Sequence, residues 1–97
     1  MNGRKIIKWD EKAVTSFKEN LDYVEGRWGF AAANSFGTQL LDIVEQLPDF
    51  PEMGRMENPE FGIRAFVFNK QITIFYKVND KSINILKIHN NYQNQRF

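Results

Sequence analysis

Eight side chains in the second half of the sequence, Arg64, Lys70, Tyr76, Lys77, Lys87, His89, Tyr92 and Arg96, are of the types that do chemistry. Together they suit phosphodiester cleavage without a metal. A base would activate the 2′-hydroxyl of RNA, cations would hold the charge of the pentacoordinate phosphate, and an acid would protonate the leaving 5′-oxygen. His89 can be base or acid near neutral pH, so Arg64, His89 and Arg96 are the candidate catalytic residues. The structural alternative is that the lysines are ordinary surface and Tyr76 belongs to the core. Other chemistry is poorly served. A single histidine and no cysteine cannot build a His- or Cys-rich metal site, the carboxylates are scattered over predicted helices, and no Walker loop, GxGxxG, HExxH or Ser/His/Asp spacing is present. No metal or cofactor is expected.

Those side chains need a scaffold, and residues 62–89 read as two consecutive β-hairpins. A two-residue turn at Asn69-Lys70, with asparagine at positive φ, would pair Phe68 with Gln71, Val67 with Ile72, Ala65 with Ile74 and Ile63 with Tyr76. Side chains alternate along a strand, so this register gathers Ile63, Ala65, Val67, Ile72, Ile74, Tyr76 and Val78 on a core face. The opposite face then holds Arg64, Phe66, Phe68, Gln71, Thr73, Phe75 and Lys77, too aromatic to be simply solvated and too polar to be simply buried. Such a face suits a partner, with Arg64 opposite Phe75 and close enough to stack. Arg64, Phe66, Phe68, Phe75, Lys77 and Tyr92 are the expected partner-binding residues. In the last strand, 82–88, the apolar residues change parity between Ile85 and Leu86, which predicts either a bulge or a strand covered on both sides.

Ahead of the hairpins, Ile6, Ile7 and Trp9 predict a short strand within 4–9, and Asp10 stands where a helix N-cap would, followed by Glu11. Ala13, Phe17, Leu21, Val24 and Trp28 recur at helical spacing, predicting an amphipathic helix that ends near Gly26 with a tight connection over 26–29. Ala33, Phe36, Leu40, Ile43 or Val44, and Leu47 predict a second helix stopped by Pro48. Gly37 within it costs about 1 kcal/mol relative to alanine, and a close helix crossing accounts for it. The two form an αα-hairpin. All three prolines fall between Pro48 and Gly62, which reads as a loop of about fourteen residues.

At 97 residues and 42% apolar composition, one core and hence one domain over 1–97 is expected. Charge is divided unevenly. Residues 1–63 hold 7 Lys/Arg against 11 Asp/Glu, whereas 64–97 hold 6 against Asp80 alone. A basic end of this kind suits an acidic protein or a nucleic acid. The absence of cysteine fits a reducing compartment, and no run is long enough for a signal h-region or a bilayer span, so the expected location is cytoplasmic and away from membranes.

The order of these features, a strand, a helix hairpin ending in Leu-Pro, a Pro/Gly-bearing loop, then GIR and three strands with IFYKV and ILKIH, resembles the RelE/ParE superfamily of type II toxin–antitoxin toxins. The resemblance covers nearly the whole chain and is nearer to ParE than to RelE. It implies an α+β fold: an N-terminal strand, the αα-hairpin, then a three-stranded antiparallel meander, forming one sheet packed on the helices. It also implies a growth inhibitor that forms a hetero-oligomer with a cognate antitoxin. That antitoxin would be an acidic segment that orders as it covers the Arg64/Phe66/Phe75 face or the helix hairpin. RelE-like members cut mRNA in the ribosomal A site with basic sheet residues and a C-terminal arginine and tyrosine. Arg64 stands near one family lysine, but Thr73 and Asn91 occupy two positions where arginines are expected, leaving Tyr92 and Arg96 as substitutes. ParE-like members poison DNA gyrase without chemistry of their own and commonly carry the R…Y…H run present here as Arg64, Tyr76 and His89. Gyrase poisoning is therefore the leading expectation, with ribosome-dependent mRNA cleavage or a catalytically silent partner-binding scaffold as alternatives.

Overall fold

The computed structural model describes residues 4–92. Strand β1 (Ile6–Trp9) leads through Asp10 into helix α1 (Glu11–Trp28). Asp10 takes the extended N-cap backbone conformation, but its side chain makes no capping bond. Helix α1 runs through Gly26 and breaks at Gly29, whose φ of 95° is accessible to glycine at little cost. Helix α2 (Phe30–Gln46) follows at once and folds back along α1. Gly37 marks the crossing: a β-carbon there would lie 3.1 Å from the Leu21 side chain of α1.

Past α2 the chain forms β2 (Arg55–Asn58), β3 (Ile63–Val67), β4 (Ile72–Val78) and β5 (Ser82–Asn90). The sheet has five strands in the order β1-β5-β4-β3-β2, all neighbours antiparallel except β1 and β5. The loop expected over 48–62 is thus partly strand. Its sequence, Arg-Met-Glu-Asn, lacks the β-branched and aromatic residues that announce a strand, and β2 forms because it pairs with β3 at the sheet edge.

One core lies between the hairpin and the sheet, built from Ala13, Leu40, Val44 and Leu47 on the helical side and Ile72, Ile74, Tyr76, Ile83, Ile85 and Ile88 on the sheet. The parity change in β5 is a bulge at Leu86: Tyr76 pairs with Ile85 while Phe75 pairs with Lys87. This one extra residue lets both Ile85 and Ile88 face inward. Beyond the bulge β5 outruns β1, and α1 covers the exposed edge. The Ile88 amide donates to Ser16 Oγ at 2.9 Å, and Asn20 Nδ2 donates to the Ile88 carbonyl at 3.0 Å. Two buried polar side chains of the helix thereby replace a missing strand.

The β3–β4 register differs from the sequence expectation by one residue. Ile63 pairs with Lys77, Arg64 with Tyr76, Ala65 with Phe75, Phe66 with Ile74 and Val67 with Thr73. No non-glycine residue among those described has positive φ, so the two-residue turn is not used. Instead Asn69 Oδ1 accepts the amides of Gln71 and Ile72, both at 2.8 Å, and Phe68 donates to the Ile72 carbonyl at 2.9 Å. An asparagine side chain bonding its own turn lengthens the connection to three residues. That single residue turns β3 over, so Phe66 and Phe68 face the helices while Val67 is 52% exposed.

Candidate functional site

Register divides the expected site between the two faces of the sheet. Arg64, Phe66 and Phe68 lie on the helix side. Phe68 meets Phe36 of α2 edge-on at 5.8 Å, and Arg64 stands opposite Tyr76, not Phe75. Phe75, Lys77 and His89 lie on the outer face with Thr73 and Lys87. Tyr92 follows β5 in a turn and is 70% exposed. Arg96 lies outside the described residues.

Arg64 and Tyr76 form a closed corner. The fully buried Tyr76 hydroxyl donates to the Pro51 carbonyl and accepts from the Gly54 amide, each at 2.8 Å. Arg64 Nη1 donates to the Gly54 carbonyl at 2.8 Å. Burial pushes the Tyr76 pKa above its ordinary value, against the opposing pull of the Gly54 amide and the Arg64 charge. Tyr76 therefore stays protonated and pins residues 51–54 to the sheet. Gly54 permits the approach, since a β-carbon there would lie 2.8 Å from the Ala65 backbone and 2.9 Å from the Tyr76 ring.

On the outer face, Thr73 pairs with His89 and Phe75 with Lys87 across the β4–β5 ladder. The Phe75 and His89 rings meet edge-on at 5.8 Å. At the end of the ladder Thr73 Oγ1 donates to Asn91 Oδ1 at 3.1 Å. Asn91 also donates its amide to the Gln71 carbonyl at 2.6 Å and its Nδ2 to the Lys70 carbonyl at 3.1 Å. Asn90 Oδ1 accepts the Tyr92 amide at 3.0 Å. Four contacts thus fix where the chain leaves the sheet, beside His89. Asn90 was not singled out by its type, and Asn91 drew notice only as a position where the resemblance expects an arginine. On the outer face Lys77, Phe75 and His89 are half-buried and Lys87 is only 8% exposed, so what this face presents is one lysine and an imidazole beside an aromatic ring. Among the described residues no group of His, Cys, Asp or Glu is placed to hold a metal, and no helix is long and apolar enough to cross a membrane.

Solved structures of the same architecture include a toxin–antitoxin complex. The chain aligns with a chromosomal ParDE system from P. aeruginosa with a TM-score of 0.77 and 23% identity, over 90% of this chain and 96% of that one. It aligns with the YoeB dimer from Staphylococcus aureus at 0.63 and 14%, over 93% and 100%, and with the E. coli DinJ-YafQ toxin–antitoxin complex at 0.62 and 12%, over 91% and 93%. These likenesses show that the chain shares the fold of those proteins. None of the curated proteins matches the sequence. Residues 7–93 match the model of the ParE toxin of type II toxin–antitoxin systems, parDE, and the chain belongs to that family.

Proposed function

We propose that this toxin arrests growth by binding DNA gyrase, does no chemistry of its own, and is held inactive in the cytoplasm by an acidic antitoxin. The observation that carries this reading is the Thr73–Asn91 hydrogen bond at 3.1 Å. These are the two positions where the RNA-cleaving branch is expected to place arginines. In this chain they meet, and they meet as neutral groups committed to each other and to the β3–β4 turn. A face meant to stabilise a pentacoordinate phosphate would need cations there.

Phe75, Lys77, His89 and Tyr92 are the proposed target contacts, with Arg96 following on the tail. Arg64, Phe66 and Phe68 support that surface from behind. Purified toxin should block supercoiling by gyrase, or trap cleaved DNA, at near-stoichiometric ratio. Unimpaired supercoiling at large excess would remove gyrase as the target. His89 beside lysines favours ribosome-dependent cleavage as the second reading, and toeprinting on translating ribosomes tests it: an intact message excludes it.

A further inference from the structure

The outer face of β4 and β5 is less open than a two-layer fold predicts. Both helices and the core lie on the other side of the sheet, so side chains here should face water, and a lysine is seldom buried. Yet Lys87 is 8% exposed and Thr73 7%. Phe75, across the ladder from Lys87, shields one flank of the lysine stem, but strand neighbours stand beside a side chain and do not roof it. Burial this deep calls for a cover.

The chain leaves β5 towards this side. Asn91, one residue past the strand, accepts a hydrogen bond from Thr73 Oγ1, an outer-face group, while its own amide is tied to the Gln71 carbonyl. Asn90 Oδ1 then takes the Tyr92 amide. We propose that residues 93–97, which lie outside the described residues, fold back over the outer face as a strap whose Phe97 ring packs on Phe75 and on the Lys87 stem. Length permits it. Five residues reach at most about 17 Å, and the Phe75/Lys87 pair stands only about 7 Å along the ladder from the Thr73/His89 pair beside which the chain turns.

Composition fits as well. The segment Gln93, Asn94, Gln95, Arg96, Phe97 has no acid and one ring. In an extended strap alternate residues share a side. Gln93, Gln95 and Phe97 then face the sheet with neutral groups and a ring able to pack against Phe75, and Arg96 faces water. The opposite phase would press Arg96 onto the buried Lys87, which like-charge repulsion disfavours. Phe75 and His89, proposed above as target contacts, are thereby covered in the free toxin, and a target must lift the strap to reach them. That consequence rests on the proposed target surface; the strap itself does not, and its test uses no target.

Pulsed acylation of the full-length chain with acetic anhydride, read lysine by lysine by mass spectrometry, measures the cover. Lys87 should react about tenfold more slowly than the exposed Lys70, protection of the size that local opening of a short terminal segment allows. Phe97→Ala should remove most of that protection and Phe97→Tyr should keep it, while the rates of the other lysines stay as they were. Nuclear Overhauser contacts should join the Phe97 ring to the Lys87 methylenes. Lys87 reacting as fast as Lys70 in the wild type overturns the proposal. So does protection indifferent to Phe97→Ala, which would mean that the sheet's own side chains bury the lysine.

Discussion

Strand β4 is anchored near both ends by polar side chains, and the two anchors differ in what they leave over. At Tyr76 the hydroxyl has a donor and an acceptor partner, Arg64 takes the remaining carbonyl of Gly54, and the whole corner is closed under residues 51–54. At Thr73, 7% exposed, the hydroxyl is joined to Asn91 where the chain leaves the sheet, and Tyr92 just beyond projects into solvent. Desolvation makes the first anchor costly to disturb and gives it nothing to offer a ligand. The second contributes less to the fold and sets the direction of the chain beside the proposed target surface. Residue type alone points the opposite way, because arginine and tyrosine look chemical while threonine and asparagine do not.

The contrast breaks most easily at Gly54. Gly54→Ala should cost about 1–3 kcal/mol, because the neighbours at 2.8 Å are backbone atoms that cannot yield as a flexible side chain would. For a chain of this size each 1 kcal/mol lowers Tm by about 4–8 °C, so a thermal melt reads it directly. A variant that melts with the wild type would mean the corner is not tight.

Tyr76→Phe comes next, at about 1–2 kcal/mol, since it strands the Pro51 carbonyl and the Gly54 amide. Its pH dependence supplies a second check. The Tyr76 pKa is raised in the folded chain above its ordinary value of 10.0, so the folded state holds that proton more tightly than the unfolded state. Its contribution to stability is fully present below pH 10.0 and is lost as pH rises through the folded value. Urea midpoints of wild type and Tyr76→Phe should therefore converge above that pH. A constant gap would contradict the buried, protonated phenol.

Arg64→Ala should cost less, about 0.5–1.5 kcal/mol, for one lost bond to the Gly54 carbonyl in a half-buried setting. Toxicity should fall only as far as stability falls. A stable variant without toxicity would return Arg64 to the functional surface.

How much of this was legible follows the same division. The helices and the parity change beside Leu86 were written in hydrophobic spacing, the crossing in Gly37 and the stop in Pro48; the parity change left a bulge and a strand covered on both sides open, and the register shows the bulge. The register of β3 was not written there. It turns on whether Asn69 uses positive φ or bonds its own turn, and both are ordinary behaviour for asparagine. That one choice moved Arg64, Phe66 and Phe68 to the helix side and undid the single mixed face expected from the sequence. Strand β2 was hidden because an edge strand needs little burial and so leaves little pattern, and the place of Asn91 was hidden because its partners lie 18 and more residues away.

The finest test of the comparison is Asn91→Ala. Its side chain bonds the part-buried Thr73 Oγ1 and the exposed Lys70 carbonyl, while its main-chain bond to Gln71 survives the substitution. The expected loss of stability is about 0.5–1 kcal/mol, the smallest of the series. The effect on growth arrest should be out of proportion to it, because Tyr92 would leave the sheet without a fixed direction. Antitoxin binding, fold stability and toxicity measured on the same variant separate the possibilities. Toxicity reduced at least tenfold in a chain that still melts within a few degrees of wild type and still binds its antitoxin would place target recognition at this end of the sheet. Toxicity that merely tracks the melting temperature would make Asn91 another structural anchor, and the two ends of β4 would then differ in strength without differing in kind.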